Sequence, residues 1–325
     1  MDKKSFFVVF VLFVIFLLVS GASCPINLKK KPNPDEAANN LKFGTHIYEG
    51  NDGLVVQFVK DVPPNRVYSG EPLTIAFDVL NRGASSVGGL SGNSAYLYIS
   101  GADPNIVNFG ESVKLLEVPG KSEVLGDGGY TTASFDTSGI VDLPQGTDSY
   151  KPKFIGTVCY SYETNANPVV CLDANPFSAY AGEKACKVTD VSLSGGQGAP
   201  VAVTQVEQMP MKGVTQLKIH VRNVGKGKVI SSSKLSTCTK SESQDYNVIN
   251  RIDSYDVSVG GNAPLLCSPT EVRLVNNEGI IICTYTFADA SVQAFTTPLN
   301  INLGYSYVES TTPKEVEILN IGPTQ

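Results

Sequence analysis

Tryptophan is absent from the 325 residues, and histidine occurs only twice, as His46 and His220. The two lie far apart in the chain, which removes most histidine-based chemistry, a serine–histidine triad included. The Gly-x-Ser-x-Gly pattern of a nucleophile elbow does not occur. No two cysteines stand as Cys-x-x-Cys, so neither a zinc site nor a thioredoxin-like motif is expected. Positive charge is not in excess: 25 basic residues face 31 acidic ones, for a net charge of −6. Nucleic-acid binding needs a basic footprint, so no nucleic-acid partner is expected. Long helical periodicity is also missing. Beyond the first two dozen residues, only Asp35–Leu41 reads as a turn or two of helix.

What the chain does have begins at its start. Lys3 and Lys4 precede an apolar run from Phe6 to Val19, followed by the small residues Ser20, Gly21, Ala22 and Ser23 and then Cys24. A basic region, an apolar region and small residues make a secretory signal. The stretch Phe6–Ala22 lies at the bottom of the roughly 17–25 residues a membrane-spanning helix needs. Gly21-Ala22-Ser23-Cys24 resembles a lipoprotein box, although Gly21 stands where that pattern usually has Leu, Val or Ile. Lipid attachment at Cys24 is preferred here to an uncleaved helix or to cleavage without lipid. Residues 1–23 are therefore the expected signal or anchor. Residues 24–47, with Lys29-Lys30-Lys31-Pro32-Asn33-Pro34, are an extended tether. Without residues 1–23 the chain has 302 residues, 23 basic and 30 acidic, enough for about two domains at roughly 150 residues each.

Six cysteines remain after Cys24: Cys159, Cys171, Cys186, Cys238, Cys267 and Cys283. An even number in an exported chain implies disulfides. Cys159 and Cys171 flank the segment Glu163–Pro168 and are expected to meet across a hairpin. Cys267 and Cys283 flank a second turn at Asn276-Asn277-Glu278-Gly279, which leaves Cys186 to pair with Cys238.

From Leu54 onward the chain reads as strands. In Leu73–Leu80, Leu73, Ile75, Phe77 and Val79 alternate with Thr74, Ala76 and Asp78, the period of a half-buried strand. Asn81-Arg82-Gly83 then supplies a turn. The phrase returns: Leu217, Ile219 and Val221 alternate with Lys218, His220 and Arg222, and Asn223-Val224-Gly225 follows, at an offset of 142. A second phrase also repeats. Tyr160-Ser161-Tyr162 precedes Pro168, and Tyr305-Ser306-Tyr307 precedes Pro313, at an offset of 145. Two phrases in the same order indicate duplication of a whole unit. Short strands at Ala95–Ser100, Ser112–Val118, Gly129–Phe135, Val272–Val275 and Gly279–Phe287, separated by Gly, Pro, Asn and Ser, indicate antiparallel sandwiches. The expected architecture is all-β, with one sandwich over 48–180 and a second over 181–325, the boundary falling near Asn175–Gly182.

A strand of apolar alternation ending in Asn-x-Gly, in an exported two-unit chain, resembles the CARDB-like and related immunoglobulin-like modules of prokaryotic, especially archaeal, surface proteins. The likeness covers about half of each unit. It is not antibody-like, since there is no Trp to pin the core and no Cys in Leu73–Leu80. The resemblance implies immunoglobulin-like sandwiches acting as spacers or binding domains, and says more about architecture than activity.

The remaining motifs carry little chemistry. Gly50-Asn51-Asp52-Gly53 and Gly101-Ala102-Asp103-Pro104-Asn105 place oxygen atoms in loops without the pattern of a dedicated calcium site. They read as turns, with an ion between domains as the lesser reading. Gly225-Lys226-Gly227-Lys228 has no helix after it and reads as a turn with exposed lysines. His220 reads as an exposed residue on the polar side of its strand. Tyr160, Tyr162, Tyr305 and Tyr307 alternate, so each pair shares a face. Covering a sheet, hydroxyls toward water, is preferred to stacking on sugars. No catalytic residue, metal or cofactor is expected. The expected role is a non-enzymatic surface module, structural or adhesive, held at the membrane by its N-terminus. A ligand- or glycan-binding lipoprotein and a subunit of a lattice or filament are the alternatives. The partner is a surface protein, a polysaccharide or another copy of the chain.

Overall fold

The computed structural model describes residues 45–139, 141–178, 184–238, 245–261 and 264–320, without the side chains of Thr45 and His46. The expected leader, Cys24, the lysine-rich part of the tether and the Asp35–Leu41 turn lie outside the described residues, as does the His46 side chain. The described chain is all-β and sandwich-like. Its helical segments are three short 3-10 turns, Thr45–Tyr48, Gly89–Ser91 and Ser232–Thr237.

The alternating phrases become central strands of two sheets. Thr74–Asn81 lies between Leu54–Phe58 and Tyr130–Asp136, all antiparallel, and buries Ile75, Phe77 and Val79. Val214–Asn223 lies between Val201–Met211 and Glu278–Thr286 and buries Leu217, Ile219 and Val221. Edge strands Val191–Ser192 and Leu266–Ser268 complete this second sheet. The two sheets are the same three-strand motif, once in each repeat.

The second repeated phrase builds the centre. Lys153–Ala166 and Phe295–Ser310 pair antiparallel within an eight-stranded sheet. Tyr160 stands opposite Tyr307, Tyr162 opposite Tyr305, and Ser161 opposite Ser306. Tyr160 and Tyr305 are equivalent positions, as are Tyr162 and Tyr307, so the ladder has a local two-fold relation about its serine pair. One continuous core takes in Leu54, Ile75 and Phe77 of the first repeat, Val201, Leu217 and Ile219 of the second, and all four tyrosines. The layers are close: a Cβ on Gly156 would stand 2.3 Å from the Phe77 ring. Only a residue without one lets the small sheet approach the central strand there.

The strands after the central pair cross over. Val169–Leu172 does not fold back on Lys153–Ala166; it pairs with Phe295–Pro298 of the other repeat. Reciprocally, Lys314–Glu315 pairs with Lys153–Phe154. Glu317–Leu319 then enters the first repeat between Arg66–Tyr68 and Ser149–Tyr150, with Val316 and Ile318 fully buried. Proline explains why the strand runs on along the same partner, in unbroken register, instead of folding back. Two residues, Asn167 and Pro168, separate the strands. A two-residue hairpin needs positive φ at one or both of them, which the proline ring forbids at its own position. Pro168 also biases Asn167 toward extended backbone. Pro313 sits at the matching place in the second repeat.

The disulfides follow from these paths. All six cysteines are paired, as Cys159–Cys238, Cys171–Cys186 and Cys267–Cys283. The expected Cys267–Cys283 bridge is present between directly opposed residues, with Cα atoms 4.0 Å apart. Asn276 and Asn277 take positive φ in the turn between them. The expected Cys159–Cys171 and Cys186–Cys238 pairs are corrected. Cys171 lies on the crossing strand, opposite Thr296, so it leaves its own repeat's central strand and bonds Cys186. Cys159 instead bonds Cys238, just after the Ser232–Thr237 turn.

Candidate functional site

The four tyrosines are not a surface. Their rings are at most 3% exposed, so the expectation that their hydroxyls reach water is corrected. The reason is the central ladder, which places all four on one inner face, with Tyr160 and Tyr162 rings 5.5 Å apart and edge-on.

Three of the hydroxyls are used to pin backbone. Tyr162 Oη donates to Asn81 Oδ1 at 3.2 Å and accepts from the Ser85 amide at 3.2 Å. Asn81 Nδ2 in turn donates to the Ser85 carbonyl at 2.8 Å. The second repeat copies this: Tyr307 Oη donates to Asn223 Oδ1 at 3.0 Å and accepts from the Gly227 amide at 2.8 Å. Asn223 Nδ2 donates to the Gly227 carbonyl at 3.0 Å. The two repeated phrases are thus halves of one device, a tyrosine that locks the Asn-x-Gly turn. Burial raises the Tyr162 and Tyr307 hydroxyl pKa values above the usual range, so both stay protonated donors. Asn81 and Asn223 were not singled out as pins from sequence; the near-equality of the two offsets was the available signal.

The inner pair of hydroxyls breaks the symmetry. Tyr305 Oη accepts from the Val201 amide at 3.3 Å and meets Thr164 Oγ1 at 2.9 Å. Thr164 passes its own proton to the Val201 carbonyl at 2.7 Å. Beside Tyr160 the place that Thr164 takes beside Tyr305 is taken by Glu309, its equivalent in the second repeat. Tyr160 is fully buried, yet its hydroxyl has no hydrogen-bond partner among the described residues. Burial, then the nearby negative charge of Asp52, raises the Glu309 carboxyl above its ordinary pKa.

On the opposite face of the central sheet lies a cleft of 690 Å³. Ile155, Ile230 and Val308 are among its apolar lining, Thr157 and Ser310 share a 2.9 Å hydroxyl bond in it, and Lys226 and Lys228 border it. The size falls within the roughly 300–1,000 Å³ of ligand sites. Both lysines are exposed, as the turn reading expects. The equivalent first-repeat positions are Ala84 and Ser86, so the charge belongs to one repeat only.

His220 lies on the polar side of its strand, but its side chain is only 13% exposed, correcting the exposed reading. Nε2 is 2.7 Å from Glu207 and Nδ1 is 2.9 Å from Glu278. Lys218 bonds both Glu207 oxygens at 3.2 Å. Hydrogen bonds from Lys218, then from His220, hold the Glu207 carboxyl below its usual pKa. With a carboxylate on each ring nitrogen, His220 has neither nitrogen turned toward a serine or a metal.

The three disulfides point to an oxidising environment. No helix among the described residues is long and apolar enough to cross a membrane. Comparison with family models and with curated proteins found no match for this chain.

Proposed function

We propose that the chain is a non-enzymatic module of the cell surface, structural or adhesive, exported by its N-terminal leader and held at the membrane through Cys24. The observation that carries this reading is the stapled frame: two repeats share one core and three disulfides tie its strands. Such construction suits a part that must keep its shape outside the cell. Its chemistry-bearing residues are turned to that end, tyrosine hydroxyls pinning turns and His220 held between carboxylates. Immunoglobulin-like tandem modules remain the resemblance that fits this use.

Fractionation tests the placement. Wild-type protein is expected with the membranes, and the Cys24→Ser variant released to the medium. Cytoplasmic wild-type protein overturns the reading, and saturable substrate turnover abolished by a single side-chain change overturns the non-enzymatic part of it.

The cleft bordered by Lys226 and Lys228 favours a second reading, a binder of acidic ligands such as uronate-bearing polysaccharides. A selective hit of the purified ectodomain on a glycan array, lost in a Lys226→Glu/Lys228→Glu variant, supports it. Ordered polymers in size exclusion support instead a lattice or filament subunit.

A further inference from the structure

The loop Gly50–Gly53 is held from both repeats. The Gly50 amide donates to the Gly195 carbonyl at 2.7 Å, and the Gly198 amide donates back to the Gly50 carbonyl at 3.0 Å. The Arg82 amide binds the Gly53 carbonyl at 2.9 Å, and the Ala84 amide binds the Gly198 carbonyl at 2.7 Å. Asp52 is thus carried on rigid backbone at the seam between the repeats. Gly53 lies directly over the Tyr160 ring: a Cβ there would stand 2.5 Å from the hydroxyl oxygen.

Glu309 reaches the same place from the other repeat. It follows Tyr305 and Tyr307 on the inner face of its strand, opposite Val158, and so lies diagonal to Tyr160. Thr164 stands in the same diagonal relation to Tyr305, and there it binds the hydroxyl directly. The seam therefore brings two half-buried carboxylates, Asp52 next to the glycine over the Tyr160 ring and Glu309 at the diagonal position, toward a buried phenol oxygen with no hydrogen-bond partner among the described residues. An unsatisfied buried hydroxyl and two adjacent like charges are each unfavourable alone.

We infer that Asp52, Glu309 and the Tyr160 hydroxyl bind a hard divalent cation, calcium by preference, which bridges the two repeats. All three donors are oxygen, the ligand type calcium takes, and they are side chains from different segments that need not meet a strict octahedron. A cation there removes the carboxylate repulsion and gives the phenol oxygen a partner. Two carboxylates place the site with weak extracellular calcium modules, with a dissociation constant of about 10⁻⁴–10⁻³ M. Asp52 belongs to one of the two oxygen-rich loops that stood out in the sequence. Glu309 did not stand out, because its role depends on the ladder that brings it to Tyr160.

The test uses the full exported chain, stripped with a chelator, in matched ionic strength. Added calcium is expected to raise the melting temperature saturably, and magnesium to raise it less. Asp52→Asn and Glu309→Gln are each expected to abolish the calcium-dependent rise, and Tyr160→Phe to weaken calcium several-fold. Terbium gives a second reading that does not depend on stability. The sequence has no tryptophan, so terbium luminescence here is sensitised by tyrosine, and it is expected to fall with added calcium and to be lost in both carboxylate variants. A wild-type melting temperature indifferent to calcium overturns the inference. So does a calcium response that survives in the Asp52→Asn/Glu309→Gln double variant, which assigns the ion to another loop.

Discussion

At the scale of single residues, four chemically identical tyrosines have different expected costs. Tyr162→Phe and Tyr307→Phe leave the Ser85 and Gly227 amides unpaired and loosen Asn81 and Asn223. Each is expected to lower stability by about 1–3 kcal/mol in urea denaturation. Tyr160→Phe removes a hydroxyl with no partner among the described residues, and without divalent cations it is expected to be neutral or stabilising. Equal losses at all three positions would show that the hydroxyl bonds do not set the cost. Glu309 sets a pH dependence of definite sign. Its folded pKa is raised, so the folded state binds the proton more tightly than the unfolded chain. Its favourable contribution is complete below the ordinary carboxylate range and is lost as pH rises through the raised value. Glu309→Gln is therefore expected to gain stability relative to wild type between acidic and neutral pH. Measured in chelator at several pH values, a constant difference between the two proteins would refute this. Glu317, held low by Lys151 and then Arg66, has the opposite sign.

At the scale of elements, strands were legible and their partners only partly so. Alternation located Thr74–Asn81 and Val214–Asn223 because burial of one face is written in the local pattern. The Cys267–Cys283 bridge was legible because one turn joins its strands. Cys159–Cys171 failed because a hairpin was assumed where Pro168 sends the chain onward, and whether a crossing strand lands on its own repeat or the other is not local information. The seam of Asp52, Glu309 and Tyr160 was hidden for the same reason. The crossing makes a specific prediction. Truncation after Pro313 removes Glu317–Leu319, the strand between Arg66–Tyr68 and Ser149–Tyr150. Hydrogen exchange is expected to show lost protection at residues 66–68 and 149–150, whose nearer edges, Tyr68 and Tyr150, stand 245 and 163 residues before the cut at Pro313. Unchanged protection there would mean that those strands stand without it. The Cys159–Cys238 bridge closes the longest loop, with a sequence separation of 79. By loop entropy its removal is expected to cost about 4.5 kcal/mol, against about 3 for Cys171–Cys186. Paired cysteine-to-alanine variants in urea would show the order.

For the whole molecule, the two repeats share a core and exchange their last strands. Residues 45–178 and 184–320 expressed apart are expected to lack cooperative unfolding, and to regain it when refolded together. Two sharp, independent transitions would show separable domains. The exchange also constrains how the chain can fold as it is made. The strand that completes the first repeat pairs Glu317 with Arg66, 251 positions earlier. At about 5–20 residues per second of synthesis, roughly 250 residues take some 12–50 seconds. For that interval the first repeat emerges with the place of its inserted strand unfilled and its sheet edges bare to any neighbouring chain. Vectorial folding, in which one half finishes before the next appears, is closed to this topology. A chain built this way depends on staying apart from its own copies until its final strand has been made.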